Sequence, residues 1–120
     1  MKDYTRRGIA YIAGCLISNS NASTVYDYSV SKYFNFSGDI VTTSVSVYDY
    51  EQKCYIRGSG ASGSYSLYHY KNGKYINLDI NGNAFQGYDY DSGKHFSGTV
   101  NGNSVVLYDY EYSKYFNYSI

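Results

Sequence analysis

Apolar and polar side chains alternate with a period of two along most of the chain. After residue 24, short runs rich in Tyr, Phe, Ile, Val and Thr are separated by Gly, Asn and Ser. Such alternation between turn residues is typical of strands that bury one face, and the absence of Pro favours uninterrupted backbone pairing. The pattern therefore predicts an all-β antiparallel domain over residues 25–120.

One sequence unit recurs within this region. Tyr-X-Tyr triplets begin at Tyr26, Tyr48, Tyr68, Tyr88 and Tyr108, at spacings of 22, 20, 20 and 20 residues. A fixed period of this kind marks a repeated supersecondary unit. Each unit contains two strand-like runs and two groups of turn residues, so we predict an antiparallel meander of five β-hairpin repeats with about ten strands.

Short Asn-Gly and Ser-Gly pairs predict how these strands meet. Asn81-Gly82 and Asn101-Gly102 are strong hairpin signals, and Ser92-Gly93 marks the opposite turn. If all turns have two residues, Tyr90 pairs with His95, and residue x lies beside residue x+18 two strands away. Five repeats then accumulate a stagger of about ten residues, which gives a closed ten-stranded barrel a tilt of about 37°. We predict an up-and-down barrel or a strongly curled single sheet; an open single-layer sheet or a hairpin solenoid is the alternative.

The period of two also assigns residues to the two faces of the sheet. The face that carries the triplet tyrosines is otherwise rich in Ser, Asn and Gln, as expected for a solvent-facing surface. The middle residue of each triplet, an Asp or His, shares the apolar face next to a turn. We expect it to form a rim of exposed ion pairs with a column of Lys residues. The apolar face, which we expect to be buried, carries Phe34, Phe36, Val45, Val47, Ile56, Leu67, Ile76, Leu78, Phe85, Phe96, Val105, Leu107 and Phe116.

Residues 1–24 lie outside the repeat, and three interpretations of this segment stay open. Apolar residues between Ile9 and Ile17 have helical spacing, which indicates a helix that caps or plugs the sheet. The segment also fits a degenerate hairpin or a signal-like sequence. The stretch Ile12–Cys15 resembles a bacterial lipobox, which slightly favours an extracellular or cell-envelope location over the cytoplasm. The apolar run is too short to span a membrane.

Composition narrows the classes of function. The chain has 120 residues, a formal net charge of zero and 43% hydrophobic residues, which argues against a disordered chain and against a nucleic-acid partner. Two Cys residues exclude a disulfide-dense scaffold and a four-Cys zinc site. No phosphate loop, paired-His motif or nucleophile elbow is present. We therefore expect a protein without catalytic activity, metal or cofactor.

The middle of the chain resembles the cell-wall (choline) binding repeats. The stretch Asn72–Leu78, followed by Asn81-Gly82 and Gly87-Tyr88, follows their glycine-aromatic and Asn-Gly-Lys-aromatic pattern. Those repeats are also 20-residue hairpins, and their aromatic boxes hold choline by cation–π contact. Trp, which dominates those boxes, is absent from this chain. The positions that match the box aromatics are Tyr48, Tyr55, Tyr68, Tyr75, Tyr88 and His95.

Tyrosine is the most unusual feature of the composition, with 19 residues in the chain. Tyr offers a rigid amphipathic surface at low entropic cost, which suits binding. We expect a non-enzymatic module that binds glycans or cell-envelope ligands through this face. The alternatives are a self-assembling or protein-interaction protein, and a carrier of a small apolar ligand in a barrel lumen. Cross-strand Tyr pairs also stabilise a sheet without any ligand, by about 0.2–1 kcal/mol each. The candidate ligand-binding residues are Tyr48, Tyr50, Tyr55, Tyr68, Tyr70, Tyr75, Tyr88, Tyr90 and His95.

Overall fold

The computed structural model describes residues Met1–Ile120 as one helix followed by a closed, ten-stranded antiparallel barrel. Consecutive strands are neighbours, and the first strand pairs with the last. The predicted up-and-down barrel is confirmed, and the open sheet is excluded. The elements are α1 (Asp3–Ser18), β1 (Thr24–Asp27), β2 (Lys32–Val41), β3 (Ser44–Asp49), β4 (Cys54–Ala61), β5 (Ser64–His69), β6 (Lys74–Asn81), β7 (Ala84–Asp89), β8 (Lys94–Asn101), β9 (Ser104–Asp109) and β10 (Lys114–Ser119).

The loops after the Tyr-X-Tyr triplets are longer than the sequence predicted. Asp89 pairs with Lys94, so the loop has four residues and the prediction that Tyr90 pairs with His95 is wrong. The Asp89 carboxylate accepts the backbone N–H of Asp91 at 3.2 Å, and the Gly93 N–H donates to the Asp89 carbonyl at 2.8 Å. These two hydrogen bonds stabilise a wider loop than a two-residue turn.

The turns at the opposite end are also displaced, by one residue. Asn101 pairs with Ser104, which places Gly102 and Asn103 at the centre of the turn in place of Asn101-Gly102. Gly102 has a φ of 59°, whereas Asn103 stays outside the left-handed region. A positive φ at the first central position alone is the requirement of a type II′ turn, which Gly satisfies without strain.

The two displacements reverse the direction of the stagger but keep its size. Gly87 pairs with Phe96, and Phe96 pairs with Asp109, so a residue lies beside the residue 22 positions later. The predicted separation of 18 is therefore wrong. Because both values differ from the 20-residue period by two, the barrel retains a stagger of ten residues and its faces do not change. All the residues of the predicted apolar face are buried.

Helix α1 lies inside the barrel, where every residue from Thr5 to Cys15 is buried. An eight-stranded barrel has an interior that side chains can just fill, so a ten-stranded barrel leaves space along its axis. The helix occupies this space. A Cβ atom on Gly8 would lie 2.5 Å from Ile56, and one on Gly14 would lie 2.8 Å from Ile120, so both glycines allow the helix to approach the wall.

The position of α1 bears on two of the sequence interpretations. Residues 3–18 are helical, which overturns the degenerate hairpin. Cys15 of the lipobox-like stretch lies in the buried part of the helix. A carrier of an apolar ligand needs free space along the barrel axis, and α1 lies along that axis. The helix is neither long nor apolar enough to cross a membrane.

The middle residues of the triplets form a buried ring around the start of α1, which we call the polar ring: Asp27, Asp49, His69, Asp89 and Asp109. The predicted rim of exposed pairs with Lys is wrong. The Lys column is exposed and makes no ion pair with the ring. Instead, Arg7 lies 3.3 Å from Asp27, and Arg6 lies 3.0 Å from Asp109. The carboxylates also face the positive end of the helix dipole.

Each arginine of α1 pairs with one aspartate of the polar ring and stacks on one phenylalanine of the barrel wall. The guanidinium carbon of Arg6 lies 3.7 Å from the ring centre of Phe116, and that of Arg7 lies 3.7 Å from Phe34. Stacking on an aromatic face stabilises a cation that has lost its water. These two ion pairs and two stacked rings hold the first turns of the helix inside the barrel, together with the N-terminal amine, which lies 3.1 Å from Asp109.

The remaining members of the ring have no such partner. Burial raises the pKa of Asp49 and of Asp89, against the opposing effect of hydrogen bonds from the adjacent loops. Oδ2 of Asp89 is buried without a hydrogen-bond partner. Burial lowers the pKa of His69 to about 4, and its Nε2 also has no partner. The ring thus contains two paired carboxylates, two that resist ionisation and one imidazole that resists protonation.

Replacing the two kinds of aspartate by asparagine should have different effects on stability. Asp109→Asn removes the partner of a buried Arg6 and of the N-terminal amine, which lies 3.1 Å away, and we expect the free energy of unfolding at pH 7 to fall by about 3–5 kcal/mol. Asp89→Asn keeps the acceptor for the loop N–H and removes an unpaired buried charge, so it should be neutral or stabilising. Urea denaturation of both variants measures this difference. Equal losses of stability would contradict the assignment of the ion pair.

The pH dependence of stability should report on His69. Its folded-state pKa lies below the ordinary value, so the unfolded chain binds more protons between pH 6.5 and about pH 4. Stability should therefore decrease as the pH falls through this window, by about 2 kcal/mol between pH 7 and pH 5. The positive charges of Lys2 and Lys71 also lower the pKa of His69, whereas the negative charge of Asp91 raises it.

The histidine contribution can be separated from that of the carboxyls with two variants. The raised pKa values of Asp49 and Asp89 mean that protonation of these carboxyls stabilises the folded protein as the pH falls. Their contribution to the pH dependence of stability therefore has the opposite sign to that of His69. We expect His69→Asn to lose less stability than the parent between pH 7 and pH 5 in urea denaturation. The matched control is His95→Asn, which removes the exposed histidine and should keep the parental slope. Identical slopes in all three proteins would show that His69 does not resist protonation.

Candidate functional site

The outer face of the barrel carries five clusters of three aromatic rings, which we call trios 1 to 5. Each trio contains both tyrosines of a triplet and the residue paired with the first of them. The trios are Tyr26, Tyr28 and Tyr33; Tyr48, Tyr50 and Tyr55; Tyr68, Tyr70 and Tyr75; Tyr88, Tyr90 and His95; and Tyr108, Tyr110 and Tyr115.

All five trios have the same geometry. The first tyrosine of the triplet lies in the centre, and the other two rings meet it edge to face, with centroids 4.7–5.0 Å away and interplanar angles of 65–84°. Aromatic rings favour this arrangement because the positive edge of one meets the negative face of the other. The central tyrosine is half-buried, and the outer ones are exposed.

The last tyrosine of each triplet connects its trio to the preceding repeat. The Tyr90 N–H donates to the Tyr75 carbonyl at 3.2 Å, and the Asn77 amide donates to the Tyr90 hydroxyl at 3.4 Å. In the same way, the Tyr50 hydroxyl lies 3.0 Å from the Ser37 hydroxyl. These tyrosines stand at the start of the four-residue loops, so their rings project between neighbouring trios and divide the surface into grooves.

Four grooves follow one another across the outside of the barrel, with volumes of about 510, 470, 430 and 760 Å³, which we call grooves A, B, C and D. Groove A lies beside Tyr70 and Arg57, and groove B lies between Tyr75 and Tyr90. Groove C, between His95 and Tyr110, is the equivalent of groove B one repeat later. Groove D occupies the position of groove A two repeats later, and Tyr115 and Tyr108 line it.

Polar side chains without strong net charge form the floors of these grooves. Ser66 and Asn77 line groove B, and Gln86 and Ser97 line groove C. Grooves A, B and C contain one charged residue each, of mixed sign, and groove D contains none. Hydroxyl and amide groups both donate and accept hydrogen bonds. Grooves A to C therefore combine aromatic walls with mainly neutral hydrogen-bonding floors, whereas the floor of groove D also contains Ala84, Phe85 and Val106.

The nine residues predicted as ligand-binding all lie on this outer face, and the structure groups them unevenly. Tyr68, Tyr70 and Tyr75 line groove A, and Tyr68 and Tyr75 also line groove B together with Tyr90. Tyr88 and His95 line groove C. Trio 2, formed by Tyr48, Tyr50 and Tyr55, borders none of the four grooves. Its distinctive feature is the guanidinium of Arg57, which lies 3.7 Å from the centre of the Tyr55 ring.

Several groove residues were absent from the sequence prediction. Tyr110 belongs to the same column as Tyr70 and Tyr90, and like Tyr90 it lines a groove with residues of the preceding repeat. The shift of 22 residues between neighbouring strands brings it beside Tyr88, and the predicted shift of 18 did not. Asn77 and Gln86 were assigned to the solvent-facing surface without a role. The repeat itself marks Tyr110 as the equivalent of Tyr90, and the correct register at the four-residue loop would have placed Asn77 beside Tyr88.

Comparisons with known proteins add no further assignment. The chain matches no protein-family model, no curated protein and no solved structure. No group of three or more His, Cys, Asp and Glu side chains is arranged to hold a metal ion. The function is therefore inferred from the geometry and chemistry of the grooves.

The trio geometry predicts unequal effects of removing its rings. Tyr88→Ala deletes two edge-to-face contacts of a half-buried ring, so we expect the free energy of unfolding to fall by about 1–3 kcal/mol. Tyr90→Ala deletes one such contact of an exposed ring and should cost about half as much. Thermal and urea denaturation of the two variants tests this order. A larger loss for Tyr90 would show that the central ring does not organise the trio.

Proposed function

We propose that the protein is a non-enzymatic binding module for neutral glycans, such as those of a cell envelope, and that grooves A to D are its binding surface. The observation that carries this proposal is the combination of aromatic walls with neutral polar groups, which in groove D are Gln86, Ser97 and Thr99 between apolar side chains. Exposed tyrosine rings form the walls, and the floors of grooves A to C are mainly neutral polar side chains. This combination matches the two surfaces that a sugar ring presents.

A pyranose has a face of C–H groups and an edge of hydroxyls. The negative face of a tyrosine ring attracts C–H groups, and its hydroxyl provides a further hydrogen bond. Ser66, Asn77 and Gln86 supply neutral donors and acceptors for the sugar hydroxyls. Because a fixed Tyr side chain loses little entropy on binding, an array of such rings suits weak ligands. The zero net charge of the chain favours neutral glycans over acidic ones.

A glycan array followed by titration calorimetry tests this proposal. We expect neutral glycans among the strongest signals, and Tyr70→Ala and Tyr90→Ala should weaken binding by about tenfold or more, equivalent to about 1.4 kcal/mol. The matched control is Tyr112→Ala, which removes an exposed tyrosine that lines none of the grooves. All variants should remain folded in circular dichroism. An array without signals would sink the proposal.

Self-association is a second candidate function, favoured by a different observation. Exposed tyrosines of the trios surround one end of the barrel, and the chain has no net charge to keep copies apart. In this case, trios of neighbouring copies would pack together as structural contacts. Light scattering over a wide concentration range separates the candidates, because a strict monomer at high concentration is incompatible with self-assembly.

A further inference from the structure

The proposed glycan grooves are repeated around a closed barrel, and this arrangement has a consequence for the number and direction of the sites. Each repeat contributes two strands, so successive repeats are rotated by about a fifth of a turn around the barrel axis. Groove B and groove C are related by 20 residues of sequence and share only Asn77. The same binding chemistry is therefore presented more than once by a single chain.

Grooves A and D are fully separate. Groove A is formed by strands β4, β5 and β6, and groove D by strands β7 to β10. They have no residue in common, and Tyr70 lines only groove A while Tyr115 lines only groove D. Because the strands around a barrel face outward in different directions, the two grooves open toward different sides of the molecule. A flat surface that contacts one of them cannot contact the other.

We infer that one chain holds at least two independent glycan sites that point in different directions, so that a single molecule cross-links separate glycan chains. This inference rests on the proposed function. It specifies the number of binding sites per molecule and how the molecule acts. The molecule connects glycan chains in solution or in a network, and it does not lie flat on one surface. Cross-linking by two weak sites gains strength through effective concentration, without any new contact.

The experiment uses neutral disaccharides and soluble neutral polymers of the same sugars. Chitobiose and cellobiose report the number of sites by calorimetry, and glycol chitin and hydroxyethyl cellulose report cross-linking by turbidity. For the disaccharide that binds, we expect a stoichiometry of two or more per chain. With the matching polymer, we expect turbidity that rises and then falls as the protein concentration increases, while the protein alone remains monomeric in light scattering.

Two single variants and their combination assign the sites. Tyr75 lines grooves A and B, and Tyr110 lines grooves C and D. Tyr75→Ala and Tyr110→Ala should therefore each remove binding on one side of the barrel and leave binding on the other. The double variant should lose turbidity with the polymer. Tyr112→Ala, exposed and outside all four grooves, should keep both the stoichiometry and the turbidity of the parent.

The outcomes separate this inference from the proposed function. A stoichiometry of one without turbidity overturns the cross-linking mode and leaves glycan binding intact. Absence of binding to all four probes and to the glycan array overturns both. Turbidity that persists in the double variant assigns cross-linking to another surface and also overturns the inference.

Discussion

The interior of a ten-stranded barrel is wider than the side chains of its own strands can fill, and the rest of the structure depends on how this space is occupied. Helix α1 supplies the missing core, with buried residues on all sides. Its position also explains the polar ring. The helix brings Arg6 and Arg7 to the level of the ring, where they pair with Asp109 and Asp27. A buried ion pair of this kind adds little net stability, yet removing one partner is costly. The ring therefore fixes the depth and rotation of the helix more than it adds stability.

Because one helix fills the barrel, the five members of the polar ring have different surroundings, whereas the five trios on the outer surface are alike. Two aspartates of the ring have a cation, two do not, and His69 replaces the fifth. This inequality follows from geometry, because one helix cannot present the same side chain in five directions. No element covers the outer surface, so the trios keep the same geometry in every repeat. Equivalent grooves on a closed barrel are the physical basis for more than one binding direction.

The sequence predicted the two faces correctly even though its register was wrong. The centre of each turn was misplaced by one residue, so every strand pairing changed by two residues. A change of two leaves the alternation of side chains unaltered, and the same residues remain inside. The composition of the grooves is more sensitive to register than the two faces are, because it depends on which residues of neighbouring strands lie side by side. The position of Asn77 beside Tyr88 was missed for this reason, because the correct pairing needs four-residue loops such as the one that the Asp89 carboxylate stabilises.

The sequence by itself determined the number of repeats, the buried and exposed faces, the size of the stagger and the outer position of the tyrosines. These features are encoded in periods of two and 20 residues, which act over short distances along the chain. Only the tertiary structure decided the direction of the stagger, the place of α1, the partners of the aspartates and the composition of the grooves. The physical reason is distance along the chain. Arg6 and Asp109 are separated by 103 positions and meet only when the barrel closes around the helix.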